Sequence, residues 1–307
     1  MDSFKPSYLK LFRQNKLKEI SEELKQHLLS CDLCPKKCNV NRINNEKGNC
    51  NTGKNAKISS YSPHHGEEAP ISGYKGSGTI FFSECNLQCE FCQNYDISQM
   101  GYGYEVSAKE LAQIMLKLQN LGCHNINFVS PTHVISQIID ALQIAIPHGL
   151  NKPLVYNCGG YESIQTLKLL DNIFDIYMPD MKYGNNETAL KYSKINGYPK
   201  YNQDSILEMH KQVGNLYIKN GIAVKGLLIR HLVLPKNISK TEIIVNFLTN
   251  EVSKDTYINI MDQYYPAYNS LKYPELSRRI TYNEYKKAVE IAKQAGLHRF
   301  DKMILKK

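Results

Sequence analysis

The sequence predicts an α/β protein built as a partial, open (β/α)6 barrel, preceded by an N-terminal helix and a four-cysteine segment. Three observations lead there. Strand-like and helix-like patterns alternate six times between Thr79 and Ala295, which calls for parallel strands with right-handed crossovers. The core expected at 75–265 occupies roughly 190 residues, short of the about 250 that a closed eight-unit barrel needs. Residues with metal-binding or hydrogen-bonding chemistry recur directly after the strand patterns, where parallel sheets place their sites. A doubly wound sheet has the same periodicity and stays open as an alternative.

The first strand is read at Thr79–Ser83 (TIFFS), an apolar run that ends just before a cysteine loop. Ser107 and Glu110 have the spacing of a capping box and open an amphipathic helix through Leu111, Ile114, Met115 and Leu118, which Gly122 ends. Asn125–Val129 is the second strand, and the helix after it runs from Thr132 to about Ile146, closed by Gly149. Leu154–Tyr156 is the third strand, with a helix over Ile164–Leu170, and Ile173–Met178 is the fourth. A polar, Asn-rich insertion leads to a helix near Ser205–Lys219. Ala223–Ile229 and Tyr257–Met261 are the fifth and sixth strands, with a helix over Thr241–Leu248 between them and one over Tyr282–Ala295 after them. The expected division is a helical segment at 1–30, a four-Cys metal-binding segment and linker at 31–74, the (β/α)6 core at 75–265, and a C-terminal loop and helix at 266–307.

Composition narrows the class of function. At 307 residues and 42% hydrophobic, the chain can bury a core without disulfides. No apolar run approaches the 18 or more residues of a membrane span, and the charged first twenty residues lack a signal-peptide core, so a cytoplasmic protein without a membrane partner is expected. The net charge of +9 comes from lysines spread along the chain rather than from an Arg-rich stripe, so a nucleic-acid partner is not expected. The 9 cysteines are an odd number, and seven of them lie between Cys31 and Cys92. Metal or redox chemistry explains that clustering better than disulfides do.

Cys85, Cys89 and Cys92 form Cys-x3-Cys-x2-Cys in the loop after the first barrel strand. Three thiolates so close in sequence can wrap one soft metal centre. They are one short of a closed zinc or [4Fe–4S] site, so one position stays open to a substrate or cofactor. Cys31, Cys34, Cys38 and Cys50 form Cys-x2-Cys-x3-Cys-x11-Cys, enough for a closed second site holding zinc or an iron–sulfur cluster. A structural role is favoured there over electron transfer. Cys123 and Cys158 stand alone and read as small buried hydrophobes, with Cys158 also adjacent to the site. His64, His65, Glu67 and Glu68 link the two cysteine regions, and adjacent side chains need not face the same way. The 21 tyrosines read mainly as core, although those near the sixth strand can line a substrate mouth.

The three-Cys motif, with Phe91 before its last cysteine, resembles the signature of radical S-adenosylmethionine (SAM) enzymes. The stretches GSGTIFFSECNLQCEFCQN, NINFVSPTH, VYNCGGYE, DIYMPDMKY, GLLIRHLVLP and MDQYYPAY resemble the branch usually labelled pyruvate formate-lyase activating enzyme-like, over nearly the whole chain. The resemblance implies the TIM-like radical SAM fold and a [4Fe–4S] cluster on Cys85, Cys89 and Cys92 whose fourth iron is chelated by SAM. It also implies an oxidoreductase that cleaves SAM reductively to methionine and a 5′-deoxyadenosyl radical, which abstracts hydrogen from a substrate. A glycyl-radical enzyme or another protein or peptide is the substrate class it suggests, and a flavodoxin- or ferredoxin-like protein the electron donor. The implied SAM contacts are Phe91, Asn157, Asp180, Lys182, Arg230 and, less directly, Gln263 with Tyr264. Where the family commonly carries Gly-Gly-Glu after the second strand, this chain has Ser130-Pro131-Thr132-His133, so Ser130 and Thr132 are the candidate oxygen acceptors there, with a helix N-cap as the plainer role for Thr132. The resemblance also makes the His-Gly-Glu-Glu string typical of the branch, and the string reads as a brace near the cluster.

Two readings from other classes compete. One is a zinc-binding nucleic-acid or protein-interaction module built on Cys31–Cys50, which predicts zinc alone and salt-dependent binding. The other is an iron–sulfur electron-transfer protein without SAM chemistry, which needs a fourth ligand near Cys92 that the sequence does not supply.

Overall fold

The computed structural model describes residues 4–301. Its strands are β1 Ala56–His64, β2 Ser77–Phe82, β3 Tyr104–Val106, β4 Ile126–Val129, β5 Leu154–Cys158, β6 Ile176–Pro179, β7 Tyr217–Lys219, β8 Ile222–Leu232, β9 Tyr257–Met261 and β10 Arg299–Phe300. They form one sheet in the order β10-β9-β8-β6-β5-β4-β2-β1-β3, with β7 paired to β8 off that path. The run β2-β4-β5-β6-β8-β9 is parallel throughout. Its spatial order follows the chain without reversal. A doubly wound sheet has a switch point where the order turns back. The continuous order is that of an open (β/α)6 barrel.

Side-chain alternation divides the two faces of this sheet. Phe82, Phe128, Tyr156, Tyr177, Ile229 and Ile258 pack with Leu111, Met115, Ile138 and Leu142 of the crossover helices in one large core. The intervening positions turn away from the helices. They carry Val155, Ile176, Met178 and Leu228, packed with Ile71 in a smaller cluster. Thr79, Asn127, Asn157, Arg230 and Asn259 share the parity of that second face, with Thr79 and Asn127 on the rung of Val155, Asn157 on that of Met178, and Arg230 paired with Asn259. A period of two therefore buries an apolar face against helices and leaves a polar concave face near the strand ends.

The helices follow their sequence signals where capping is local. Ala108–Asn120 starts with the capping box, in which Glu110 N–H donates to Ser107 Oγ at 3.2 Å and Ser107 N–H to Glu110 Oε2 at 2.8 Å. Ile135–Ala145 is flanked by 3-10 turns, and Gly149 closes it at φ 95. Elsewhere the boundaries differ from expectation. The fourth barrel strand starts at Ile176, because Ile173 and Phe174 belong to the preceding turn although both are buried. An apolar run alone does not separate strand from buried turn. The helix expected near Ser205–Lys219 is Tyr198–Val213, stopped by Gly214 at φ 70, and Tyr217–Lys219 instead forms the antiparallel β7. The Asn-rich insertion holds a helix at Asn186–Ser193, capped by Asn185, whose Oδ1 accepts from Thr188 N–H at 3.0 Å. The stretch read as linker contains β1, antiparallel to both β2 and β3.

The first helices, Tyr8–Arg13 and Lys16–Leu29, pack against Ile135–Ala145 through Leu17, Leu24 and Leu28, with Lys25 Nζ 2.8 Å from Asp140 Oδ1. Asp175 fastens this segment to the sheet, accepting from Ser7 N–H at 3.1 Å and Leu154 N–H at 3.2 Å. No helix among the described residues is long and apolar enough to cross a membrane.

Candidate active site

A cavity of about 200 Å³ opens at the C-terminal ends of the barrel strands. Cys85, Cys89, Phe91 and Cys92 line one side, on the loop after β2. Ser130, Asn157 and Asp180 line it from the ends of β4, β5 and β6, with Lys182 just beyond. Arg230 and Gln263 complete it from β8 and the end of β9. Chain segments far apart in sequence thus bring the three-Cys motif and seven of the eight expected cofactor contacts to one space.

The cysteine loop is shaped by local bonds. Glu84 at φ 67 turns the chain out of β2, and its N–H donates to Ile97 O at 2.8 Å. Each thiol meets a polar neighbour. Cys85 Sγ accepts from Leu87 N–H at 3.4 Å, Cys89 Sγ from Ser193 Oγ at 3.0 Å, and Cys92 Sγ lies 3.0 Å from Ser98 Oγ. Burial pushes the Cys85 thiol up to about 12 and Cys89 to about 11, so a metal must displace their protons to make thiolate ligands. Three soft thiols on one wall, each beside a hydrogen-bonding group, are a donor set that suits iron–sulfur ligation. Phe91 is held edge-on between Tyr183 and Tyr264, at centroid distances of 6.3 and 5.9 Å.

Opposite the thiols, Lys182 Nζ and Asp180 Oδ2 pair at 2.5 Å. Burial opposes the Lys182 charge, but Asp180 and Cys89 outweigh it and raise its pKa. Tyr198 sets the backbone of this loop, since its hydroxyl accepts from Lys182 N–H at 3.0 Å and lies 2.9 Å from Gly159 O. The two glycines after β5 serve close approach within the protein. A Cβ on Gly159 would meet Leu87 Cδ1 at 2.3 Å, and one on Gly160, at φ 72, would meet Asn202 Nδ2 at 2.2 Å and Asp180 O at 2.3 Å.

Arg230 rises from the sheet floor and is held by the Glu-Glu pair. Its Nε lies 3.1 Å from Glu68 Oε1, and its Nη1 lies 3.6 Å from Glu67 Oε2 and 3.5 Å from Asn157 Oδ1. Asn127 Nδ2 donates to Glu67 at 3.1 Å and Asn259 Nδ2 to Glu68 at 2.7 Å. Burial raises the Glu67 pKa against the pull of Arg230. Within the His-Gly-Glu-Glu string, Glu67 and Glu68 therefore brace an arginine of the cavity. His65 is exposed, and the His64 ring stacks edge-on against Phe81 at 5.8 Å.

Thr132 departs from its expected place. It does not line the cavity but is buried, and its hydroxyl donates to Glu162 Oε1 at 2.9 Å, while Tyr156 OH donates to Oε2 at 2.8 Å. The 3-10 turn at Thr132–Val134 rotates the side chain beneath the strand end. Its side chain makes no cap hydrogen bond, because the helix proper starts at Ile135. Glu162 carried no sequence signal, and burial pushes its carboxyl up to about 7. His231 is also buried away from the cavity, with Nδ1 2.8 Å from Met181 O and Nε2 2.9 Å from Thr241 Oγ1. Cys158 lines the cavity, whereas Cys123 is fully buried in the core.

Cys31, Cys34, Cys38 and Cys50 line a second, smaller cavity together with Arg42, Asn86 and His133. Cys31 N–H donates to Val40 O at 2.9 Å and Asn39 N–H to Cys31 O at 3.0 Å, which folds the first three cysteines into a knuckle. Gly48 crosses directly over Cys38, where a Cβ would lie 2.7 Å from Sγ. That close approach delivers Cys50 to the same cavity.

Comparison with known proteins finds one family and several relatives. The family profile described as Radical SAM superfamily matches residues 79–248. An uncharacterised protein of Methanocaldococcus jannaschii is 33% identical over 306 residues, covering 96% of this chain and 84% of that one. A second uncharacterised protein of the same organism is 24% identical, covering 90% of this chain and 84% of its own. The pyruvate formate-lyase-activating enzyme of Clostridium pasteurianum is 28% identical over 186 residues, covering 56% of this chain and 70% of that enzyme.

Proposed function

The chain belongs to the radical SAM superfamily, and from that premise we propose that the strand-end cavity binds SAM against a [4Fe–4S] cluster held by Cys85, Cys89 and Cys92. The observation that carries this reading is the convergence of the three thiols with Asn157, Asp180, Lys182 and Arg230 on one cavity. When bound, the cluster supplies one electron that splits SAM into methionine and a 5′-deoxyadenosyl radical.

The chain's own residues bind and orient. Three thiols would leave one position of the cluster without a protein ligand, available to the amino-acid end of SAM. Lys182 offers a cation and Asp180 an anion to the zwitterionic end and ribose of SAM, already paired at 2.5 Å and backed by Tyr198. Arg230 offers a guanidinium to a carboxylate and is prevented from collapsing into the cavity by Glu67 and Glu68. Ser130, at φ 59, presents its hydroxyl at the end of β4, and Gln263 brings a side-chain amide to the cavity just past the end of β9. The aromatic packing of Phe91 fixes the loop wall on which an adenine ring can lie. Such pre-positioning holds the reacting groups in place and keeps water from them.

We assign a protein or peptide as the hydrogen donor, with a glycyl-radical enzyme as one such partner. Support comes from the cavity rim. Tyr95, beside the lining residue Asn94, is exposed and stacks on Tyr268 at 5.3 Å, and Met100 and Tyr102 stand exposed just beyond. Exposed aromatic and Met side chains favour macromolecular contact. A flavodoxin- or ferredoxin-like protein is the reductant this chemistry requires. Anaerobic reconstitution, reduction and addition of SAM should yield 5′-deoxyadenosine. Protein with an intact cluster that neither binds nor cleaves SAM contradicts the reading.

A further inference from the structure

The four-cysteine cavity adjoins the three-cysteine cavity, and one side chain separates them. Asn86 lines the cavity of Cys31, Cys34, Cys38 and Cys50, while its Oδ1 lies 3.8 Å from Cys85 Sγ. Asn86 is only 3% exposed, and its Nδ2 donates to Tyr161 O at 2.8 Å, so the wall is fixed. A second link runs alongside it. Arg42 Nη1 lies 3.9 Å from Cys31 Sγ and donates to His133 O at 2.7 Å, and His133 Nε2 lies 2.9 Å from Ser83 O, two residues before Cys85.

Arg42 also indicates the charge of what the four thiols hold. It is 1% exposed, its Nη2 has no partner, and among the described residues no carboxylate pairs with it. A buried guanidinium is costly unless an anionic group faces it. Four neutral thiols do not provide one, whereas four thiolates around a metal centre carry net negative charge. The donors to Cys38 Sγ fit the same state, with Asn49 N–H and Asn49 Nδ2 both at 3.3 Å. Position favours a redox-active cluster over zinc, which has no redox chemistry, because Asn86 puts these thiols one side chain away from Cys85.

We propose that Cys31, Cys34, Cys38 and Cys50 hold a second iron–sulfur cluster that passes electrons across Asn86 to the cluster at the strand ends. The proposal rests on the reading of the strand-end thiols as a cluster site. In each transfer a one-electron reductant of the flavodoxin or ferredoxin class is oxidised by one electron. The second cluster accepts that electron and returns to its oxidised level as it reduces the first. No bond is made or broken at the second cluster, and no proton moves.

The test uses the full chain, reconstituted anaerobically, as wild type, as a Cys85→Ser/Cys89→Ser/Cys92→Ser triple variant and as a Cys34→Ser/Cys38→Ser double variant. The expected content is about eight irons and eight sulfides in the wild type and about four of each in either variant, with zinc well below one per chain. The electron paramagnetic resonance spectrum of the reduced wild type should be broadened or split relative to the sum of the two variants' spectra, because the two centres interact magnetically. A triple variant holding about one zinc and no iron overturns the cluster assignment. Two full clusters whose wild-type spectrum equals the sum of the variants' overturn the electron path. Should a variant fail to fold, the wild type alone decides. Iron and zinc contents near four and one, in place of eight and none, refute the second cluster. SAM-induced change in the double variant's spectrum reports on the strand-end site independently, so failure of that site and failure of the second cluster are distinguishable.

Discussion

The two cysteine regions differ in what surrounds the sulfur. At the strand ends, three thiols face a cavity of about 200 Å³ that also presents Asp180, Lys182 and Arg230. In the amino-terminal segment, four thiols face a smaller space whose one buried cation, Arg42, is fixed to backbone carbonyls. On the proposed readings, the first arrangement would leave coordination and charge for an incoming molecule, and the second would supply all its own ligands. Ligand number and the charges around the sulfurs, rather than the presence of cysteine clusters as such, separate a reactive centre from an auxiliary one.

The comparison breaks most sharply at Cys89. Cys89→Ala removes one of three ligands at the open site and should lower 5′-deoxyadenosine formation by at least about 1,000-fold, roughly 4 kcal/mol of barrier. Iron at the amino-terminal site should remain, which metal analysis of the same sample checks.

Glu162 lies between the regions, bonded to Thr132 and Tyr156 and close enough to Cys34 to act on its charge. Its carboxyl is raised from 4.5 to about 7 by burial. A raised carboxyl contributes stability that is complete below the unfolded value and lost as pH rises through the folded one. Unfolding free energy should therefore fall between pH 4.5 and about 7, by about 3 kcal/mol in all, because one proton more is held by the folded chain than by the unfolded chain across that window. In Glu162→Gln that slope should disappear, as read from urea midpoints across the window. An unchanged slope contradicts a buried, neutral Glu162.

Lys182→Met leaves Asp180 unpaired in the open cavity and should cost about 100-fold in kcat/KM for SAM. Occupancy of the amino-terminal site should not change. Glu68→Gln, which slackens the hold on Arg230, should weaken SAM binding by about tenfold, with unfolding free energy lower by about 1–3 kcal/mol. Anaerobic titration with SAM and denaturant unfolding check the two parts. If Glu68→Gln instead changes only the second site, Arg230 is not the group that Glu68 positions.

Much of this comparison was legible in the sequence, for identifiable reasons. The Cys-x3-Cys-x2-Cys spacing, the capping box at Ser107 and Glu110, and the apolar runs of β2, β4, β5 and β9 are short-range patterns that the fold preserves. The strands added at either end of the parallel run were not legible. β1 contains Pro63 and a polar stretch, and it tolerates the proline because β3 pairs only with Ala56–Ile58, leaving that side of Pro63 free. β10 is two residues long and exists through its pairing with β9. Within the site, the family resemblance and position after a strand together pointed to residues that line the cavity. Thr132 was misplaced because a 3-10 turn rather than a helix follows β4. The partners of Arg230 and the dual contacts of Asn86 were not predictable, since each joins residues distant in sequence.

The difference between the regions is tested most directly by the effect of SAM on the reduced Cys34→Ser/Cys38→Ser variant, in which only the strand-end cluster remains. Its electron paramagnetic resonance spectrum should change on addition of SAM, because on the proposed reading three thiols would leave one iron without a protein ligand at the strand-end cavity. A spectrum unchanged at saturating SAM would mean that this centre is closed, and the strand-end cavity would lose its assigned role.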